Sequence, residues 1–171
     1  MEIRTERLLL RRPRSDDLDA MFAITSDPRA MRYWSTLPHA DRAVTRTWLD
    51  QMIERNGRGG EDFVIELDGS AIGIVGAGLP PHFGFLIAPE FWGRGLGYEA
   101  SAAFVRYAFS NTSIVELQAD VDPRNAASLA LLNRLGFVET RRAENTFLLG
   151  DEWCHSIYLA LQRPVLTGAT S

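Results

Sequence analysis

The sequence predicts a mixed α/β domain built on one sheet with both antiparallel and parallel strand pairs. Three observations carry this expectation. The element patterns run β, α, α, then an antiparallel meander, then β-α-β-α-β-β, and mixed order of this kind needs both pair types. Asp68-Gly69 separates two apolar runs, "DFVIEL" and "SAIGIVGAG", the commonest signal for a two-residue hairpin. A glycine turn, "PEFWGRGLGYEA", joins a strand pattern to a helical one. The chain has 171 residues, 46% of them hydrophobic, which suits one domain over 1–171 with a real core.

Each element follows from its local pattern. "RTERLLLRRP" reads as a strand centred on Leu8 to Leu10. "SDDLDAMFAITSD" reads as a helix with Ser15 as N-cap, acids in the first turn, and Leu18, Met21, Phe22 and Thr25 at helical spacing. "RAMRYWSTLP" is a turn or short helix. "ADRAVTRTWLDQMIER" is a helix with Val44, Trp48 and Met52 on one core-facing stripe, stopping at Asn56-Gly57. The hairpin and "HFGFLIAP" supply three strands. "YEASAAFVRYAFSN" is a helix, "IVELQADV" a strand, and "NAASLALLNRLG" a short helix ending at Gly136. Two strands, "FVETRRAENTFLL" and "EWCHSIYLALQ", close the domain. The tail from about 164 to 171 is expected to fray.

Bulk properties narrow the function classes. A net charge of −4 argues against a general nucleic-acid binder, which usually carries a basic face. A single cysteine, Cys154, permits no internal disulfide and suggests no cysteine-based zinc site. It reads as a small buried hydrophobe in a closing strand. "MEIRTERLLLRRPR" lacks the apolar run of a signal peptide, and no segment approaches bilayer-spanning length. The expectation is a soluble cytoplasmic protein with no membrane partner.

The glycine turn has two readings. A strand, a glycine turn and a helix start make an anion site, because the first amides of the helix are free and its dipole is positive there. Glycine lets a ligand approach the backbone, and Arg94 adds a cation. The plain alternative is a tight turn with glycines for geometry alone. The Walker A pattern fails, because Gly97 is followed by Tyr98-Glu99. Gly95, Gly97 and Ala100 do satisfy G-x-G-x-x-A, with Asp120 twenty residues beyond. Against a dinucleotide site, the pattern arrives mid-chain, after an antiparallel meander.

A second motif, "VDPRNAASLALLNRLGF", weighs against the dinucleotide reading. Together with "FGFLIAPEFWGRGLGYEA" it closely resembles the GCN5-related N-acetyltransferases. More narrowly, the chain resembles the branch that acetylates ribosomal-protein N-termini, through "TERLLLRRPRSDD", "DPRAMRYW" and "DGSAIGIVG". The likeness covers roughly residues 3 to 162.

The resemblance implies a central, mostly antiparallel mixed sheet, flanked by helices, whose one parallel strand pair splays apart. It implies acetyl-coenzyme A as co-substrate and no metal. The pantetheine arm would lie in the gap as a substitute strand against Phe85 to Ala88, with Phe85 and Ile87 meeting it. The turn formed by Gly93, Arg94, Gly95, Leu96, Gly97 and Tyr98 would take the pyrophosphate. The family's first motif position, Gln or Arg, falls on Trp92, which puts one side-chain contact in doubt. Asn125 matches the Asn that usually meets the pantetheine, and Ser128 the polar residue one turn later. Many relatives place an acid tyrosine where this chain has Leu132. Ser128 is then the nearest polar substitute from matching residues.

The implied chemistry is direct transfer of the acetyl group to an amine. A backbone amide polarises the thioester carbonyl, and some group accepts the ammonium proton. His82, Glu116, Asp120 and Asp122 are the groups weighed for that proton, against ordinary solvated strand-end roles, and none is chosen. Tyr33, Trp34 and His39 fall where this branch builds its acceptor cleft; Trp34 packing on the core is the alternative. The partner is an amine acceptor, a protein N-terminus or a small amine, and the protein is a monomer or homodimer. Two other function classes stay open at this stage: a non-catalytic acyl-coenzyme A sensor and an NAD-dependent oxidoreductase.

Overall fold

The computed structural model describes residues 1–56 and 58–164. Eight strands form one sheet: β1 (Glu2–Arg4), β2 (Leu9–Arg11), β3 (Glu61–Leu67), β4 (Ser70–Leu79), β5 (His82–Ile87), β6 (Glu116–Val121), β7 (Val138–Leu149) and β8 (Glu152–Gln162). Their spatial order is β1-β2-β3-β4-β5-β6-β8-β7, and every pair is antiparallel except β5–β6. The helices are α1 (Leu18–Thr25), α2 (Pro28–Met31), α3 (Arg42–Asn56), α4 (Leu96–Asn111) and α5 (Ala126–Leu135). The expected mixed sheet and its single parallel pair are present.

The β3–β4 hairpin turns through Asp68 (φ 50°) and Gly69 (φ 79°). Positive φ at both central residues is the requirement that Asp-Gly meets. The sheet carries a core on each face. On one side Phe63, Phe83, Phe104 and Leu117 pack under α4. On the other Met21, Leu49, Met52 and Val64 pack under α1 and α3.

Three local expectations change. The first expected strand is two short ones, because the chain reverses at residues 5–8, where the Thr5 amide donates to the Leu8 carbonyl at 2.9 Å. Ser15 does not cap a helix; it opens a 3₁₀ turn (Ser15–Asp17), and α1 starts three residues later. The buried stripe of α3 is Thr45, Leu49 and Met52, while Val44 is exposed. Asp41 fixes that phase: its carboxylate accepts from the Ala43 and Val44 amides at 2.8 and 3.1 Å. Gly57 of the expected Asn56-Gly57 stop, and residues 165–171 of the expected tail, lie outside the described residues.

Candidate active site

The site begins where the sheet fails to close. β5 and β6 pair through His82 and Gln118, and the Gln118 amide donates to the Pro81 carbonyl at 2.8 Å. Beyond that point β5 has no ladder partner on this side. The Ala88 amide donates to the Ile72 carbonyl at 2.9 Å, so alternation turns the main-chain groups of Leu86 and Gly84 toward β4. Phe85 and Ile87 therefore present theirs to the gap. One of those groups is taken: the Trp92 indole N–H donates to the Ile87 carbonyl at 2.8 Å. The residue that departs from the family motif caps a gap-facing carbonyl.

The glycine turn leads out of β5. Gly93 (φ 71°) and Gly95 (φ 76°) are both in the left-handed region. The Glu99 amide is bonded back to the Gly95 carbonyl at 3.1 Å, so the amides of Leu96, Gly97 and Tyr98 precede the first intrahelical bond of α4. Free amides, a helix dipole and two bare α-carbons make a concave anion nest. Arg94 behaves differently from the expectation. Its guanidinium lies 5.5 Å from the Phe91 ring centroid, and it does not line the cleft below.

The turn is held from behind. Glu99 accepts from the Thr5 hydroxyl at 2.5 Å and from the Arg7 amide and Nε at 2.9 and 2.7 Å, and Arg7 Nη1 donates to the Arg94 carbonyl at 3.0 Å. Partial burial pushes the Glu99 carboxyl up, but the Thr5 and Arg7 hydrogen bonds outweigh it and hold it below its ordinary range. A depressed carboxylate contributes stability that is present above its unfolded pKa and lost as pH falls through the folded value. Glu99→Gln is accordingly expected to cost roughly 1–2 kcal/mol at neutral pH. The gap in melting temperature between the two proteins should close on acidification below about pH 4. A pH-independent gap would refute this role.

α5 supplies the opposite wall. The Asp122 carboxylate accepts from the Arg124 amide and Nε at 2.8 and 2.9 Å, and its carbonyl accepts from the Asn125 amide at 2.9 Å. That turn delivers Asn125 as N-cap, with Oδ1 accepting from the Ser128 amide at 3.2 Å. A cleft of about 720 Å³ runs between the splayed strands, the glycine turn and α5. Phe85, Ile87, Gly95, Gly97, Asn125 and Ser128 line it, as do Leu96 and Tyr98. Arg134, also in its wall, sits 3.8 Å from the Tyr98 ring centroid.

A second cavity, about 460 Å³, opens on the far side of Trp34. A small space of about 80 Å³ between the two is bounded by Gly84, Phe85, Asp120, Ser128 and Leu132. Tyr33 and Trp34 line all three spaces; Trp34 is half-buried, packing against the core under α1 and α3 and partitioning the cavities. His39 lies elsewhere: it is buried, with Nδ1 2.9 Å from the Thr45 hydroxyl and its ring edge-on to Trp48. Trp48, expected in the core, packs against that core cluster and also lines the second cavity.

The four groups weighed as proton acceptors separate. Glu116 is bonded to Gln118 and Gln162 and lines neither cavity. Asp122 is ion-paired to Arg124 at 2.6 Å, and that hydrogen bond holds its carboxyl below the usual range. His82, Asp120 and Asp122 all line the second cavity, and of the four Asp120 alone also borders the connecting space. Asp62, which drew no attention in the sequence, lines the second cavity as well. The available signal was an acid inside the strand pattern "EDFVIEL", opposite the glycines of "IVGAG".

Residues 7–138 match the family model described as "Acetyltransferase (GNAT) domain". The chain belongs to the GNAT acetyltransferase family. It is an acetyl-coenzyme A-dependent N-acetyltransferase by that membership. Among GNAT relatives, the spermidine N(1)-acetyltransferase of Escherichia coli K12 is 24% identical over 85% of this chain and 81% of its own. The [ribosomal protein uS5]-alanine N-acetyltransferase of the same organism is 32% identical over 48% of this chain and 43% of its own. The solved structure of RimL, a ribosomal L7/L12 alpha-N-protein acetyltransferase in complex with coenzyme A, superposes with a TM-score of 0.86 at 17% identity. That match covers 95% of this chain and 98% of the RimL chain. These neighbours accord with the ribosomal-protein N-acetyltransferase branch of the GNAT family. Family membership sets aside the oxidoreductase alternative, and the sheet is not doubly wound. Among the described residues, no helix is long and apolar enough to cross a membrane.

Proposed function

We propose that this GNAT protein transfers an acetyl group from acetyl-coenzyme A directly to a primary amine, either a protein N-terminus or a small amine. One observation carries the reading: two cavities meet at the splayed end of β5, and Tyr33 and Trp34 border both. The larger holds the anion nest and fits the coenzyme. The smaller is walled by Trp34, Trp48, Met52 and Phe147 and fits an amine acceptor.

Acetyl-coenzyme A supplies an activated acetyl thioester when bound. The gap-facing amides of Phe85 and Ile87 hold and polarise it, the amides of Leu96, Gly97 and Tyr98 take the pyrophosphate, and Asn125 and Ser128 bound the pantetheine side. Asp120, bordering the connecting space, accepts the proton of the attacking ammonium, directly or through water. The Ser128 hydroxyl, on the same space, protonates the departing thiolate. Leu132 is fully buried there and supplies no acid.

A thermal-shift titration against acetyl-coenzyme A, coenzyme A and NAD tests the donor site, since a ligand of the folded state alone raises the midpoint. A shift with the coenzyme A compounds and none with NAD is expected. Acetyl transfer is then measured on a panel of peptide N-termini and small amines. Ser128→Ala is expected to lower turnover with binding intact, and unchanged turnover removes Ser128 from the reaction.

A further inference from the structure

We infer that Asp62 is an acceptor-recognition residue, and that the acceptor is a linear aliphatic diamine or triamine whose second cationic group this carboxylate anchors. The inference rests on the amine-acceptor reading above and names the substrate class of the same site.

The sheet places an acid row across four strands. Asp62 on β3 stands opposite Gly76 on β4, and Gly76 opposite Gly84 on β5. The parallel pairing of His82 with Gln118, continued by two residues, brings Gly84 to the level of Asp120 on β6. Directly opposed residues share a face, so two carboxylates flank a floor of two glycines. That floor is open because it has no side chains. A Cβ at Gly76 would stand 2.8 Å from Asp62 Oδ1, and one at Gly78 would overlap Oδ2. The Asp62 side chain therefore lies across β4, in space that its partner strand leaves empty.

The carboxylate is built in but not satisfied. Asp62 is 9% exposed, and its Oδ2 is buried without a hydrogen-bond partner. The nearest cation, Arg55 Nη2, is 3.6 Å away, too far for a hydrogen bond, and Arg55 Nε is likewise buried without a partner. The backbone of Asp62 is, by contrast, fully engaged: its amide donates to Asn56 Oδ1 at 2.7 Å and its carbonyl accepts from Asn56 Nδ2 at 3.0 Å. A buried carboxylate lacking hydrogen bonds costs stability, and a positioned donor removes that cost. Burial pushes the Asp62 carboxyl up despite the pull of Arg55 and Arg12, which agrees with an acid short of partners.

The rest of the cavity selects the occupant. Beside Arg32 and Arg55, the same cavity is walled by Trp34, Trp48, Met52 and Phe147, apolar surface that suits methylenes. Strands lie about 4.8 Å apart, and the Asp62 carboxylate lies over β4, so about one strand spacing separates it from β5. One amine reaches the connecting space beside Asp120 while a second meets Asp62. A monoamine leaves Asp62 with only the long contact to Arg55 and no hydrogen bond to Oδ2, and the N-terminus of a peptide brings a polar backbone against that apolar wall.

The test compares putrescine, spermidine and n-butylamine as acceptors, in wild type and in Asp62→Asn. The wild type is expected to prefer putrescine or spermidine over n-butylamine by tenfold or more in kcat/KM. Asp62→Asn should raise KM for the diamine about tenfold, with kcat within twofold, and leave n-butylamine turnover and coenzyme A binding unchanged. A variant that melts lower yet keeps the diamine preference would reveal a purely structural ion pair and overturn the proposal. Where Asp62→Asn fails to fold, equal use of putrescine and n-butylamine by the wild type overturns it. If the wild type acetylates no amine, the transfer reading fails instead. Calorimetry of putrescine against the coenzyme A-bound protein still reads the anchor: binding lost in Asp62→Asn supports it, and equal binding, or none to either protein, sinks it.

Discussion

Gly95→Val is expected to abolish acetyl-coenzyme A binding while leaving a folded protein. Gly95 sits at φ 76°, where a β-branched residue is strained by about 1–2 kcal/mol. The added Cβ meets only Arg7 Nη2, at 3.6 Å, so nothing in the core is displaced. The cost falls on the ligand. Amide–phosphate hydrogen bonds are charge-assisted, about 1.5–3 kcal/mol each, and a turn that leaves φ 76° to relieve that strain re-aims at least one or two of these amides. A loss of about 3 kcal/mol weakens binding more than ~100-fold. Titration calorimetry with acetyl-coenzyme A reads this directly, alongside a melting curve without ligand. Normal affinity would move the pyrophosphate site elsewhere. Lost affinity in a protein that also fails to melt cooperatively would say nothing of the nest, which is why the melting curve belongs in the experiment.

The second large effect is expected far from the chemistry. Asp17→Ala should destabilise the fold by about 3 kcal/mol, the lower end of what breaking a buried ion pair costs. Asp17 receives both Arg11 Nη atoms, at 2.9 and 2.6 Å, and the Arg14 amide at 2.7 Å, with both side chains almost wholly buried. Its removal strands the Arg11 guanidinium against apolar surroundings. Glu66, 2.7 Å from Arg11 Nε, remains and limits the loss. For a domain of this size about 3 kcal/mol corresponds to a fall of roughly 6–12 °C in melting temperature. A fall under about 2 °C would mean that the pair is solvated in solution. Coenzyme A affinity should be unchanged well below the melting point, because these residues touch neither cavity.

The two predictions mark what could and could not be read from the chain. The glycine turn was legible because positive φ and free helix amides are local properties of a few consecutive residues. The Asp68-Gly69 hairpin and the helix stop at Gly136 are of the same kind. The phase of α3 was misread because Asp41, through two backbone hydrogen bonds, turns Thr45 and Leu49 inward and leaves Val44 outside. Trp92 looked like a lost contact. Folding brings its indole back to the Ile87 carbonyl, a bond between a turn and the strand before it. Arg94 looked like a phosphate ligand, yet its side chain lies by Phe91.

The amino-acid order alone determined the mixed sheet, the sites of its turns and the anion nest, because backbone preference and short-range hydrogen bonding act within a few residues. Only the tertiary structure decided which acid borders the space connecting the two cavities. His82, Glu116, Asp120 and Asp122 were equivalent as letters. They were separated by Gln118 and Gln162 engaging one, Arg124 neutralising another, and strand splay opening the space beside Asp120. Asp62 became visible only when its carboxylate came to lie over the bare backbone of Gly76 and Gly78 on the neighbouring strand. Whether a carboxylate is satisfied or left short of partners depends on atoms distant in the chain, and folding alone brings them together.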